Sequence, residues 1–487
     1  MKNAILFTVA LILVAPTLSV AQNDNARDYF SVKDSSRISG KVVGFIPGQD
    51  DFISFSTYSI TGDNVKHAVQ LKNDGSFNFA FYQAHSCNIT INYKDAFKDA
   101  LIQPAEELNL TIYNNKLDTN NYNAFVAGGK LAEINNLIFD FQSEFLRHKF
   151  DNHANLGDKS QPDSVFARKR DEQLNEELNF LNTYIRDKRI SNTAFKKWQK
   201  NQLTYLAAKE IVLFPFFGKL NKQITETQLL GFIQKIPVND VDALANSAYY
   251  DFLKDLVLDE EIIININPAY DSIRKSNGYN SVPLYLDKLN NISNGLTTQI
   301  LYYDLYHFLY KADDADKVIG RFESTITNVY IKQLLANNIK AAADGFKFYD
   351  VVNRLKKLNV TDSLKQKFIA WFENQRGTNV FVDFWADWCG PCMMEMPDYA
   401  KLIAAFDGKP LKFVFFSVNT SDKSMMEVKN KNKINADFIN LSKDEVAVMN
   451  NIFEFHSYPQ HFVINKSGQV ISNGTKEQTG INKLLFP

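Results

Sequence analysis

The chain has 487 residues, of which 45% are hydrophobic and 22% charged, an ordinary globular composition that excludes a largely disordered polypeptide. Lys and Arg total 54 against 55 Asp and Glu, a formal net charge of -1, so there is no basic excess to hold phosphates and nucleic acid is not an expected partner. Three cysteines are too few for a framework of structural disulfides, and the core must stand without staples.

The first 21 residues carry one cation (Lys2), an apolar run from Ala4 to Ala15 broken only by Thr8, and small residues at Ser19 and Ala21. This layout predicts a cleavable signal peptide over residues 1–21, with cleavage after Ala21 and export to the periplasm or cell envelope. The run is too short to span a bilayer, no cysteine follows it to take a lipid, and no stable membrane span is expected elsewhere.

Residues 27–115 are rich in strand patterns. QLKNDGSFNFAF alternates Phe77, Phe79 and Phe81 after an Asn73-Asp74-Gly75 turn and reads as a hairpin. SCNITINY and LNLTIY alternate in the same way, which predicts a small β-sandwich. From residue 125 to 374 the period becomes helical: Leu131, Ile134, Ile138, Phe141 and Phe145 share one face, as do Leu174, Leu178, Leu181 and Ile185. This central stretch is expected to be an all-α region without a fixed-period repeat. Residues 376–487 alternate strand and helix. TNVFVDFWA and LKFVFFSVN read as buried strands, Cys389–Phe406, Asp422–Lys433 and Lys443–Phe455 as helices, and QHFVIN with QVISN as a closing hairpin. The expected architecture is therefore multidomain: a sandwich, a helical region, and an α/β sheet of mixed direction flanked by helices.

The chemistry concentrates at Cys389-Gly390-Pro391-Cys392, where the first of those strands gives way to a helix. Amide dipoles at a helix N-terminus favour a thiolate, which makes Cys389 the expected nucleophile. Pro391 suits the first turn, where its missing N–H costs nothing. Cys392 heads an apolar face with Met396, Tyr399, Ile403 and Phe406, so it should point inward as the resolving thiol, with Cys389 at an exposed tip. The alternative is half a zinc site. No second cysteine pair exists, and His456 and His461 lack a regular ligand spacing with the motif, so redox chemistry is expected and no metal.

VDFWADWCGPC resembles the active-site segment of thioredoxin. With Glu395-Met396-Pro397 it is similar to the Cys-X-X-Cys-X-X-Glu-X-Pro pattern of exported thioredoxin-like reductases of the TlpA/ResA-like group. The resemblance covers about the last 110 residues, one thioredoxin-sized domain. It implies a thioredoxin fold there, with Asp383 a buried carboxylate that takes the proton of Cys392, and a purely structural, partly solvated Asp383 is the alternative. It implies that Trp388, Gly390, Pro391, Tyr458 and Pro459 meet substrate, with a cis proline at Tyr458-Pro459 shaping a docking edge, and an ordinary trans proline as the alternative. Glu395 and the helix-kinking Pro397 would support the site. The implied partners are disulfide-containing client proteins and a membrane electron donor, with no cofactor beyond the Cys389–Cys392 disulfide. One departure is visible: where thioredoxins place a lysine near the buried carboxylate, the strand KFVFFSVN has phenylalanines at its centre, and the aspartate should titrate higher still.

Other candidates have plainer readings. Cys87 shares a strand face with Ile89, Ile91 and Tyr93 and is expected to be a buried, unreactive thiol. His456 and His461 flank the proline loop and are expected at the surface, with tuning of the thiols as the alternative. Met396 is expected in the core and Met393 at the surface, and KNKNK (residues 429 to 433) as a solvated helix end. The functional expectation is an exported thiol–disulfide oxidoreductase, acting through a Cys389 mixed disulfide resolved by Cys392, and a reductase because its Gly-Pro pair resembles that of the reducing members of the superfamily. The alternative is an envelope binding or scaffold protein whose sandwich and helical regions hold a client, with the redox domain accessory.

Overall fold

A computed structural model of the chain describes residues 30, 35–60, 64–117, 124–151, 154–155, 161–217, 236–258, 286, 289–291, 293–309, 323–343, 347–358, 362–455 and 457–486. The expected signal peptide and His456 lie outside the described residues.

Eight strands open the fold: β1 (Ser35–Val43), β2 (Phe52–Tyr58), β3 (Asn64–Gln70), β4 (Ser76–Tyr82), β5 (Cys87–Tyr93), β6 (Ala96–Ile102), β7 (Glu107–Tyr113) and β8 (Phe125–Gly128). They form two four-stranded sheets, in the orders β4-β1-β7-β8 and β3-β2-β5-β6, around one core that holds Ile38, Phe55, Phe77, Ile89 and Leu110. The turn at Asn73-Asp74-Gly75 forms, with Gly75 at φ 79° and its N–H on the Lys72 carbonyl. It is not a hairpin. β3 pairs with β2 and β4 with β1, so the turn carries the chain from one sheet to the other. The physical reason lies in the three alternating phenylalanines: crossing over sets Phe77 and Phe79 against Phe55 of the facing sheet, whereas a hairpin would leave that apolar face uncovered.

The helical stretch comprises, among the described residues, α1 (Ala132–Arg147), α2 (Asp163–Asp187), α3 (Thr193–Phe217), α4 (Ser247–Leu258), α5 (Gly295–Leu309) and α6 (Val329–Ala343). α1 closes one sheet of the sandwich. Its Ile134, Ile138 and Phe141 enter the sandwich core, and the buried Asn135 amide bonds the backbone of Leu101 in β6 at 2.6 and 3.0 Å. The remaining helices share a tyrosine-rich core that includes Tyr205, Tyr249 and Tyr306. The stretch expected to be helical over 125–374 carries a strand near each end. β8 pairs with β7, and β9 (Tyr349–Asp350) with a strand of the C-terminal sheet. In each case a sheet edge is available and its unpaired backbone groups take a short partner.

The C-terminal sheet has six strands: β9, β10 (Asn379–Trp385), β11 (Leu411–Val418), β12 (Asp437–Leu441), β13 (Gln460–Ile464) and β14 (Gln469–Asn473). Their order is β12-β11-β10-β13-β14-β9, with β10, β11 and β12 parallel and β13 antiparallel to β10. The central strand β10 is buried throughout, and its period of two divides the domain. Val380, Val382 and Phe384 face a core shared with α7 (Val351–Lys357), α8 (Asp362–Glu373) and α11 (Lys443–Phe453). Phe381 and Trp385 face the opposite core, shared with α9 (Gly390–Ala404), α10 (Asp422–Lys431) and α12 (Gln478–Leu485). Asp383 lies on this second face by the same alternation. β12, which is not evident from sequence alternation, runs beside β11.

Candidate functional site

The cysteine pair sits where β10 hands over to α9. Cys389 is the N-cap of α9 and its Sγ accepts the backbone N–H of Cys392 at 3.2 Å. Sulfur therefore occupies the place where a capping oxygen usually sits, against the exposed amides and positive end of the helix. Gly390 and Pro391 form the exposed first turn, and Pro397 lies inside the helix. A Cβ on Gly390 would meet nothing within 4 Å, so no packing requirement selects glycine there.

Cys389 and Cys392 form a disulfide of 2.02 Å. The expected contrast between an exposed and an inward cysteine is much reduced, at 6% exposure for Cys389 and 1% for Cys392. Bonding to the inward partner draws Cys389 into the same apolar cluster as Trp385, Ala386 and Met396. What stands out to solvent is the rim. Trp388 is 58% exposed and meets Tyr458 edge-on, with centroids 5.7 Å apart. The Tyr458–Pro459 bond is cis, and Tyr458 packs against the cluster that holds both cysteines. Of the methionines, Met396 is in the core, Met394 rather than Met393 is the exposed one, and Met393 is half-buried.

Behind the disulfide, Asp383 is 1% exposed, and neither of its carboxylate oxygens has a hydrogen-bond partner of normal geometry among the described residues. Burial pushes its pKa up to about 8, against the opposing pull of the Tyr399 hydroxyl. Its neighbour on β11 is Phe415, so the missing lysine is replaced by an apolar ring. A partly solvated Asp383 is not what is seen.

The polar groups come from the other side. His461 is not at the surface. It is buried on β13 directly opposite Asp383, and its Nε2 lies 3.5 Å from Asp383 Oδ1, 3.2 Å from Glu395 Oε2 and 2.8 Å from the Tyr399 hydroxyl. Tyr399 also reaches Glu395 Oε2 at 3.3 Å, and Lys476 Nζ bonds Glu395 Oε1 at 2.5 Å. Burial pushes the His461 ring below its ordinary pKa, opposed by Glu395. Sequence alone places His461 at the surface, gives Tyr399 only an apolar role and gives Lys476 none. The register of β13 against β10 brings His461 inward, since directly opposed residues share a sheet face.

Cys87 is fully buried on β5, its thiol directed at the Tyr58 carbonyl at 3.6 Å, and burial pushes it up to about 12. Among the described residues, no group of three or more His, Cys, Asp or Glu is arranged to hold a metal ion, and no helix is long and apolar enough to cross a membrane.

Comparison with known proteins falls on the same part of the chain. Residues 355–472 match the sequence model of the AhpC/TSA family, beginning within α7 and so taking in the helices ahead of β10. The chain is 57% identical over 30 residues to thioredoxin 1 of Chlorobaculum tepidum, covering 6% of this chain and 30% of that protein. It is 28% identical over 104 residues to the thiol-disulfide oxidoreductase ResA of Bacillus cereus, covering 21% and 58%. The chain thus spans less than two thirds of the length of these curated relatives. A solved thioredoxin domain of a thiol-disulfide oxidoreductase from Bacteroides vulgatus is 20% identical, over 23% of this chain and 83% of that one, with a TM-score of 0.22. The C-terminal part of this longer chain is a domain of the thioredoxin superfamily.

Proposed function

We propose that the protein is an exported thiol–disulfide oxidoreductase that reduces disulfides of client proteins in the periplasm or cell envelope. The observation that carries the reading is the Cys389–Cys392 disulfide at the N-terminus of α9, with the buried carboxylate of Asp383 on the same core face. The similarity to the thiol-disulfide oxidoreductase ResA supports it.

In the reduced protein, the thiolate of Cys389 is stabilised by the amides of α9 and attacks a client disulfide. A mixed disulfide forms and the first client thiolate leaves. Cys392 then gives its proton to Asp383, whose raised pKa suits it to accept a proton near neutral pH. The Cys392 thiolate attacks Cys389 Sγ, the internal disulfide closes, and the second client thiolate departs. The cis Tyr458–Pro459 turn and Trp388 offer the docking edge, where an extended client segment adds main-chain bonds. A membrane electron donor returns the disulfide to the dithiol.

The Gly-Pro pair favours reduction over oxidation. The span from thioredoxin to protein disulfide isomerase is about 90 mV, or about 4 kcal/mol for two electrons, so the potential discriminates clearly. We expect a value near the thioredoxin end, and Cys392→Ser should accumulate clients bound covalently at Cys389. A potential near the oxidase end, or an absence of trapped clients, sinks the reading.

A further inference from the structure

With its pKa raised to about 8, Asp383 holds a proton at pH 7 that must leave before the carboxylate can take the one on Cys392, and its surroundings close most exits. β11 presents Phe413 and Phe415, and β10 itself contributes Phe381 and Trp385 on the same face. The opening is on the β13 side, where one nitrogen, His461 Nε2, stands 3.5 Å from Asp383 Oδ1 and 3.2 Å from Glu395 Oε2.

We propose that His461 is a positioning residue that carries the proton of Asp383 out to Glu395, making the resolving step run through a carboxyl–imidazole–carboxylate path. This rests on the oxidoreductase reading above. Every titratable group that faces His461 fits the path: Asp383 from β10, Glu395 and Tyr399 from α9, and Lys476 from the segment before α12. The Phe381 ring stacks on the imidazole with centroids 5.7 Å and planes 28° apart. Burial disfavours the charged ring, and in the tautomer with its proton on Nδ1 the Nε2 lone pair is open to Asp383, Glu395 and the Tyr399 hydroxyl.

The balance is complete. Cys392 Sγ–H gives its proton to Asp383 and its electron pair to the new bond with Cys389 Sγ, while the mixed disulfide breaks and its thiolate leaves. The proton on Asp383 passes to Nε2, and from Nε2 to Glu395 Oε2. Glu395 is 23% exposed and paired with the Lys476 ammonium, so the proton reaches water there.

The test uses the reduced full chain and the aryl disulfide dithiobis(nitrobenzoate). Attack by Cys389 releases one thionitrobenzoate, and attack by Cys392 on the resulting mixed disulfide releases the second. Both are followed between about pH 5 and pH 9. In His461→Gln the first release should stay within about twofold of wild type, while the second slows at least tenfold at pH 7 and its midpoint with pH moves. Glu395→Gln, on a partly exposed helix position, should slow the second release in the same way and decides the matter should His461→Gln fail to fold. An unchanged second release in the folded variants overturns the relay, as does equal slowing of both releases, which marks a merely structural role. A wild-type protein that never makes the second release overturns the oxidoreductase reading itself, an outcome that does not depend on either variant.

Discussion

Asp383 and His461 are a buried carboxylate and a buried imidazole, and their titrations oppose each other. The folded pKa of Asp383, raised to about 8 from an unfolded value of 3.8, means that between those limits the folded protein binds more protons than the unfolded one. Stability from this group is therefore lost as pH rises across that window, by at most about 1.4 kcal/mol per pH unit. His461, held below its ordinary pKa of 6.5, resists protonation when folded and lowers stability as pH falls below 6.5. Between these two groups, only the aspartate acts from pH 6.5 to 8. Chemical denaturation there should show stability declining in wild type and a flatter profile in Asp383→Asn, with the variant the more stable of the two at pH 9. A wild-type profile that rises over the same interval contradicts a buried carboxylate with a raised pKa.

The helix α9 is the element that makes the cysteines unequal, by capping itself with Cys389 Sγ rather than with an oxygen. Because a Cβ at Gly390 meets nothing within 4 Å and its φ is not in the left-handed region, Gly390→Ala should fold normally. It should change stability by no more than about 1 kcal/mol, in the stabilising direction expected for alanine in a helix. Pro391→His places an imidazolium beside the capping sulfur. It should stabilise the Cys389 thiolate, and hence the reduced form, raising the reduction potential by tens of mV, where about 30 mV corresponds to 1.4 kcal/mol. Redox equilibration against glutathione measures the shift, and a lowered potential contradicts a helix-stabilised thiolate.

At the scale of the whole molecule, the sandwich and the C-terminal sheet are packed together through α11. Phe52 at the start of β2 sits in the core that includes Phe384, Met449 and Ile452. Asn451 bonds the Ala68 carbonyl at 3.3 Å, the Asp51 amide reaches Asp444 Oδ2 at 3.4 Å, and Lys443 pairs with Asp95. The redox domain therefore shares apolar surface with its neighbour, and the two should melt together. Phe52→Ala removes most of that shared ring and should cost about 3 kcal/mol. Calorimetry should then resolve two transitions where wild type gives one, and a single unshifted transition in the variant contradicts a shared core.

By itself the sequence determined the chemistry and most of the local structure. The strand–Cys-Gly-Pro-Cys–helix junction, the Pro459 turn and the helical and alternating periods are all contiguous, and local spacing decides which face each residue takes. The buried place of Asp383 came from the resemblance to thioredoxin, and its apolar neighbours in β10 surround it in the chain as well as in space. Tertiary structure alone decided what crosses between elements. The Asn73-Asp74-Gly75 turn is the same local structure whether it closes a hairpin or changes sheets, and only the position of Phe55 on another strand selects the second. Strands β8 and β9 are too short to show a period and exist because a sheet edge was free to pair them. His461 became an inward partner of Asp383 through the register of β13 on β10, and a shift of one residue would have turned it to the opposite face of the sheet. Contacts set by register and packing join residues far apart in the chain, and no local pattern records them.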